Sequence, residues 1–190
     1  MGIANQLTLV RLGLSPVFVL VFMLGGKVGY VPALAVAILF EVTDLLDGYF
    51  ARAWKQTTDF GKLFDPMTDG VARFSVFLCF LWGGYAHLWM VVVVFYRDFM
   101  VAYMRVAAAR VGVVLAARFS GKMKAITQGI VILAVLLLIV LTPLDDPLAI
   151  EQTKATSQWL MGLVVLVTLW SGIDYARSSL PVLRGLLRPK

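Results

Sequence analysis

Six apolar stretches, at about 7–25, 31–51, 63–83, 87–109, 122–142 and 157–176, take up most of a chain of 190 residues. Each approaches the roughly 20 residues that an α-helix needs to cross the hydrocarbon core of a bilayer. A chain divided in this way has no room for a separate water-soluble domain. Any chemistry must therefore be built from membrane helices and their short connections. The expected fold class is all-α, a single membrane domain over residues 1–190 with six transmembrane helices. Composition agrees, with 61% hydrophobic and only 15% charged residues, where soluble domains run at roughly 45–50% and 25%. The first apolar run has no small-residue cleavage site behind it and reads as a retained span. Cys79 is the single cysteine, so no internal disulfide is expected.

The connections alternate in charge. One set carries Arg52, Lys55 and Lys62, then Arg110, Arg118, Lys122 and Lys124, and finally the C-terminal Arg177, Arg184, Arg188 and Lys190. The opposite set carries Lys27, then His87, then Asp145, Asp146 and Glu151 with Lys154. Positive loops stay on the cytoplasmic side, so both termini and the basic loops are expected there, in a multi-pass protein of the cell (plasma or inner) membrane. The net charge of +6 would suggest nucleic acid in a soluble protein. Spread among apolar runs, it points instead to membrane lipid and to phosphate-bearing substrates, with no nucleic-acid partner expected.

Against this background the acids are concentrated: Glu41, Asp44, Asp47, Asp59, Asp65 and Asp69 account for six of eleven. Asp44 and Asp47 are three residues apart at the end of the second span, and Asp65 and Asp69 are four apart at the start of the third. Such spacings share a helix face. Two antiparallel helices would thus present two carboxylates each at one depth, on the cytoplasmic side. Carboxylates inside a membrane are costly and generally functional. Oxygen ligands of this kind suit Mg²⁺ or Mn²⁺, and a pair of such ions clamping a phosphoryl group is the chemistry they fit best. Neutralisation by Arg52, Lys55, Lys62 and Arg73 alone would not call for so regular a spacing.

The segment reads Asp44-x2-Asp47-Gly48-x2-Ala51-Arg52-x8-Gly61-x3-Asp65-x3-Asp69, and it resembles the complete motif of the CDP-alcohol phosphotransferase family, which has six membrane helices. The resemblance implies that Asp44, Asp47, Asp65 and Asp69 ligate the metal pair, with Asp69 also the general base toward an acceptor hydroxyl. It further implies that Asp44, Gly48, Ala51, Arg52 and Gly61 line the CDP donor, and that the protein is a homodimer. Glycine at 48 would let a nucleotide approach the helix backbone closely.

A second stretch bears on the acceptor. Arg105, Arg110, Arg118, Lys122 and Lys124 crowd the side of the acid cluster, and Arg97 sits well inside the fourth span, where a charge implies a function or a partner. Of these, Arg97, Arg105, Lys122 and Lys124 would suit an acceptor phosphate. Arg97-Asp98, Gly121-Lys122-x-Lys124-x3-Gln128, Asn5-x2-Thr8-x2-Arg11 and Leu169-Trp170-Ser171-Gly172-x2-Tyr175 resemble the phosphatidylglycerophosphate synthase branch of the family, with Asp98 where glutamate is usual. That branch implies CDP-diacylglycerol as donor and glycerol 3-phosphate as acceptor. Serine, inositol phosphate or another lipid alcohol is the alternative within the same chemistry. A small ion or proton carrier is the alternative outside it, although transport favours acids near the midplane and an inverted repeat. Asp174 is expected to pair with Arg177 one turn on, and Arg73 to orient Asp69 or simply to pair with an acid.

Overall fold

The computed structural model describes the backbone of residues 3–53, 59–110 and 118–186, and the side chains of 9–44, 46, 67–108 and 118–179. Among the described residues the structure is all-helical. It comprises α1 (Ile3–Met23), α2 (Gly26–Ala53), α3 (Asp59–Trp82), α4 (Leu88–Arg110), α5 (Phe119–Leu141) and α6 (Pro147–Leu186). Each expected apolar stretch falls on one helix, running past its end by at most two residues. Short turns separate α1 from α2, α3 from α4 and α5 from α6. The first is made by Gly25 and Gly26, both at positive φ (66° and 59°), a conformation that side-chain-bearing residues rarely adopt.

The last connection departs from expectation. Residues 143–156 were expected to form an acidic loop, but only 142–146 are non-helical. Asp146 accepts hydrogen bonds from the backbone N–H groups of Leu148 and Ala149 at 2.9 and 3.3 Å. It thereby caps α6, and Pro147 occupies the first helical position, where its missing N–H does no harm. Glu151 and Lys154 therefore sit on the helix. At 40 residues, α6 is about 60 Å long, twice the roughly 30 Å hydrocarbon thickness. The stretch 157–176 is only its middle part.

Packing divides the helices into two sets of three. α1 packs on α2 and α3, while α6 packs on α4 and α5, and contacts of α2 with α5 and of α3 with α4 join the sets. Phe18, Phe22, Phe77, Phe80, Leu136 and Met161 are fully buried. The surface is apolar as well: Leu20 and Leu166 are each 67% exposed, whereas Arg11 is 2% exposed and Gln128 1%. Polar side chains inside and leucines outside suit lipid rather than water around the bundle. Several hydroxyls are satisfied within their own helices: Ser15 donates to the Arg11 carbonyl, Ser75 to Val71 and Ser157 to Thr153, a pattern that needs no external partner. Among the described residues, three helices contain stretches long and apolar enough to cross a membrane, Gly26–Asp44, Phe119–Leu141 and Pro147–Ser179, and Leu9–Met23 is a shorter apolar stretch.

Candidate active site

The described part of the acid motif forms a pocket where α1, α2 and α3 meet. Arg11, Glu41, Asp44, Asp69 and Arg73 line it, with apolar walls that include Ile132 of α5. Arg11 comes from near the start of the α1 apolar run. Its Nη1 lies 3.3 Å from Asp44 Oδ1 and pairs with Asp69 Oδ1 as well. The carboxylates that the motif contributes from α2 and α3 are thus brought to one guanidinium nitrogen, although they are 25 residues apart in the chain.

Arg73 holds the other flank. Its Nη2 stands 3.5 Å from Glu41 Oε2 and 3.7 Å from Asp44 Oδ2, and its Nη1 donates to the Ala125 carbonyl of α5. Arg73 thus pairs with acids of α2 and with the backbone of α5. Among the described residues that line the pocket, three carboxylates stand against two guanidiniums, a negative excess. An uncompensated charge of that sign in a partly buried site favours a cation.

The donor set therefore fits a hard divalent ion in kind: carboxylate oxygens from two helices, facing one another, with negative charge to spare. Among the described residues no three acidic, histidine or cysteine side chains gather closely enough to hold a metal by themselves. Asp47, Gly48, Ala51 and Arg52 lie on α2, and Gly61 and Asp65 on α3. The side chains of these expected metal- and donor-binding residues lie outside the described ones.

The expected acceptor residues fall in the other set of helices, and they do not form one cluster. Lys124 Nζ donates to Asp98 Oδ2 at 2.6 Å. Arg97 donates to Asp98 Oδ1 at 3.0 Å and to Ser171 Oγ at 2.6 Å. Arg97 lies close along α6 at Gly172, where an added Cβ would stand 3.2 Å from its Cγ. Two cations thus share one carboxylate, leaving a positive excess. Arg105 donates to the Tyr175 hydroxyl at 3.1 Å and lies 5.5 Å from that ring's centre, so its charge meets a neutral partner. Lys122 is exposed.

Asp174 takes its hydrogen bonds from Arg118 (2.7 and 2.9 Å) and Ser120, not from Arg177 as helix spacing suggested. Arg118, which reads in the sequence as part of an ordinary basic collar, clamps the start of α5 to α6.

Sequence reasoning assigned no site role to Arg11, Glu41, Ser171 or Tyr175. A lone arginine inside an apolar span was the available signal for Arg11. For Glu41 it was an acid one turn before the motif.

Comparison with known proteins identifies the family. Residues 1–170 match the CDP-alcohol phosphatidyltransferase family. The chain is 35% identical over 148 residues to a CDP-diacylglycerol–glycerol-3-phosphate 3-phosphatidyltransferase of Bacillus subtilis, covering 72% of this chain and 77% of the relative. It is 31% identical over 188 residues to a probable phosphatidylglycerophosphate synthase of Mycobacterium tuberculosis, covering 97% and 85%. A Pseudomonas fluorescens relative with the same name as that of Bacillus subtilis is 31% identical over 193 residues, covering 97% and 93%. A family match over nearly the whole chain, with motif carboxylates of two helices meeting in one pocket, makes the chain a member of the CDP-alcohol phosphatidyltransferase family, a membrane enzyme of phospholipid synthesis.

Proposed function

We propose that the enzyme transfers the phosphatidyl group of CDP-diacylglycerol to the hydroxyl of glycerol 3-phosphate, giving phosphatidylglycerophosphate and CMP. The observation that carries this reading is the meeting of Asp44 and Asp69 across Arg11 in a pocket of negative excess. Asp44, Asp47, Asp65 and Asp69 would hold a pair of Mg²⁺ or Mn²⁺ ions. When bound, these would neutralise the donor diphosphate and polarise the phosphorus under attack. Gly48, Ala51, Arg52 and Gly61 would line the CDP moiety.

Asp69 takes the proton of the acceptor hydroxyl. That oxygen forms a bond to the phosphorus bearing the diacylglycerol, and the bond to CMP breaks, with CMP departing as an anion. Positioning and charge stabilisation do most of the work in such transfers, and a general base must lie within hydrogen-bond reach of the attacking hydroxyl.

The anionic acceptor is supported by the positive excess around Arg97, Lys124 and Asp98 and by the neutral partner of Arg105, with Lys122 the outermost contributor. The names of the relatives point to the same donor and acceptor. All six helices are taken to span the cell membrane, with termini and active site on the cytoplasmic side, in one domain that pairs as a homodimer. The charges of α1, α3 and α4 are supported inside the bundle by Asp44, Glu41 and Asp98, so they do not bar those helices from lipid.

The test is CMP release by purified protein with CDP-diacylglycerol and Mg²⁺ or Mn²⁺, offering glycerol 3-phosphate, serine and inositol phosphate in turn. Release with glycerol 3-phosphate alone, lost in Asp69→Asn, is expected. Release with another acceptor only would overturn the acceptor, and a fully active Asp69→Asn would overturn the base.

A further inference from the structure

Glu41 belongs to none of the motif positions, yet it occupies the most constrained place in the pocket. It lies one turn before Asp44 on the same face of α2, and its carboxylate rests on the backbone of α5 at Gly129. A Cβ at position 129 would come within 2.5 Å of Oε2 and 2.8 Å of Cδ, closer than atoms can approach. Glycine in a helix interior is otherwise unfavourable, and at this position it leaves the space in which the Glu41 carboxylate sits, so that a side chain there would push that carboxylate aside.

The seated carboxylate faces the same guanidinium nitrogen that faces Asp44: Arg73 Nη2 is 3.5 Å from Glu41 and 3.7 Å from Asp44. Arg73 is also tethered to the Ala125 carbonyl, which keeps its head between the two acids. Asp44 already has Arg11 on its other side.

We infer that Glu41 is a positioning residue for the metal site, which acts by drawing the Arg73 charge away from Asp44. This inference rests on the metal-site reading above. Without the Glu41 charge, Arg73 would turn to Asp44, which would then lie between two guanidiniums. A divalent ion would have to compete with both. With Glu41 seated on Gly129, Asp44 keeps charge available for an ion. Because Glu41 works through Arg73, removing Arg73 as well should undo the loss.

The test is titration of purified, detergent-solubilised protein with Mn²⁺ alone, followed by electron paramagnetic resonance. In parallel, the Mn²⁺ dependence of CMP release is measured. Glu41→Gln should weaken Mn²⁺ binding roughly fivefold or more, the scale of a modest coupling between neighbouring sites, while kcat at saturating Mn²⁺ falls far less. Gly129→Ala should do the same by unseating the carboxylate. Combined with Glu41→Gln it should add little, because neighbours in one network are not additive.

The decisive variant is Glu41→Gln with Arg73→Gln, which should recover Mn²⁺ affinity relative to Glu41→Gln alone. Unchanged affinity in a folded Glu41→Gln protein overturns the inference, as does a double variant weaker than either single one. If Glu41→Gln does not fold, Glu41→Asp, with the carboxylate drawn back by one methylene, must show the weakened Mn²⁺ binding instead. A wild-type protein that binds no Mn²⁺ would overturn the metal-site reading itself, a result separate from either.

Discussion

The two three-helix sets each bury charge, and they leave opposite residues of it. Among α1, α2 and α3, two arginines stand among Glu41, Asp44 and Asp69, and the balance is negative. Among α4, α5 and α6, Arg97 and Lys124 share Asp98, and the balance is positive. Neither set is neutral, although a bundle built for stability alone would favour complete pairing or apolar packing. The pairing in each set is sufficient to hold the helices together and insufficient to satisfy the charge. On each side the remainder has the sign that the proposed ligand would need: a cation at the acid pocket, a phosphate at the basic cluster.

The strongest way to break this comparison is at the acid pocket. Asp69→Asn keeps the shape and removes the basic carboxylate, and CMP release should fall by about 10²–10⁴-fold, with protein yield and unfolding temperature near wild type. A mutant within a few-fold of wild type would remove Asp69 from the chemistry.

At the opposite site, Asp98→Ala should act on stability first. It strands two largely buried cations, and breaking such a pair costs about 3 kcal/mol, which is expected as a clear drop in unfolding temperature. Lys124→Met leaves Asp98 paired with Arg97. It should raise KM for glycerol 3-phosphate about tenfold or more, the loss of one charged hydrogen bond, with KM for CDP-diacylglycerol unchanged. Equal effects on both KM values would dissolve the division of labour between the sets.

Arg11→Met sharpens the comparison from another direction. Asp44 and Asp69 would then face each other without their shared cation. The unfolding temperature should fall in chelator and be restored by Mn²⁺ to a greater extent than in wild type, because binding to the folded state alone stabilises it. A shift equal to that of wild type would show that Arg11 does not stand in for an ion. The smallest effect is expected from Asp174→Asn, which weakens the clamp from Arg118 outside either pocket. It should lower the unfolding temperature slightly, less so at high salt, and leave turnover unchanged.

What was legible in the sequence was local. Asp44 and Asp47, or Asp65 and Asp69, share a helix face because of the helical repeat, so their spacing announced a site before any packing was known. Helix boundaries were harder to read. The acids and threonines of 145–156 look like loop, but Asp146 caps the chain and starts α6 early. Asp174 has Arg177 within one turn, yet its bonds come from Arg118, 56 residues away. Helix periodicity states which neighbours are within reach and says nothing of a better partner on another helix.

The six apolar stretches, the acid motif and the basic segments are properties of composition and short-range order. They determined the helices and the membrane setting, while the reaction class came from the resemblance of the acid motif to a known family. Only the tertiary structure decided that Arg11 lies between Asp44 and Asp69, that Arg73 is shared by Glu41 and Asp44, and that Glu41 rests on Gly129. Each of these depends on which helix faces meet and at what depth. That is set by the packing of side chains along whole helices, so residues distant in sequence become partners without any local mark of it.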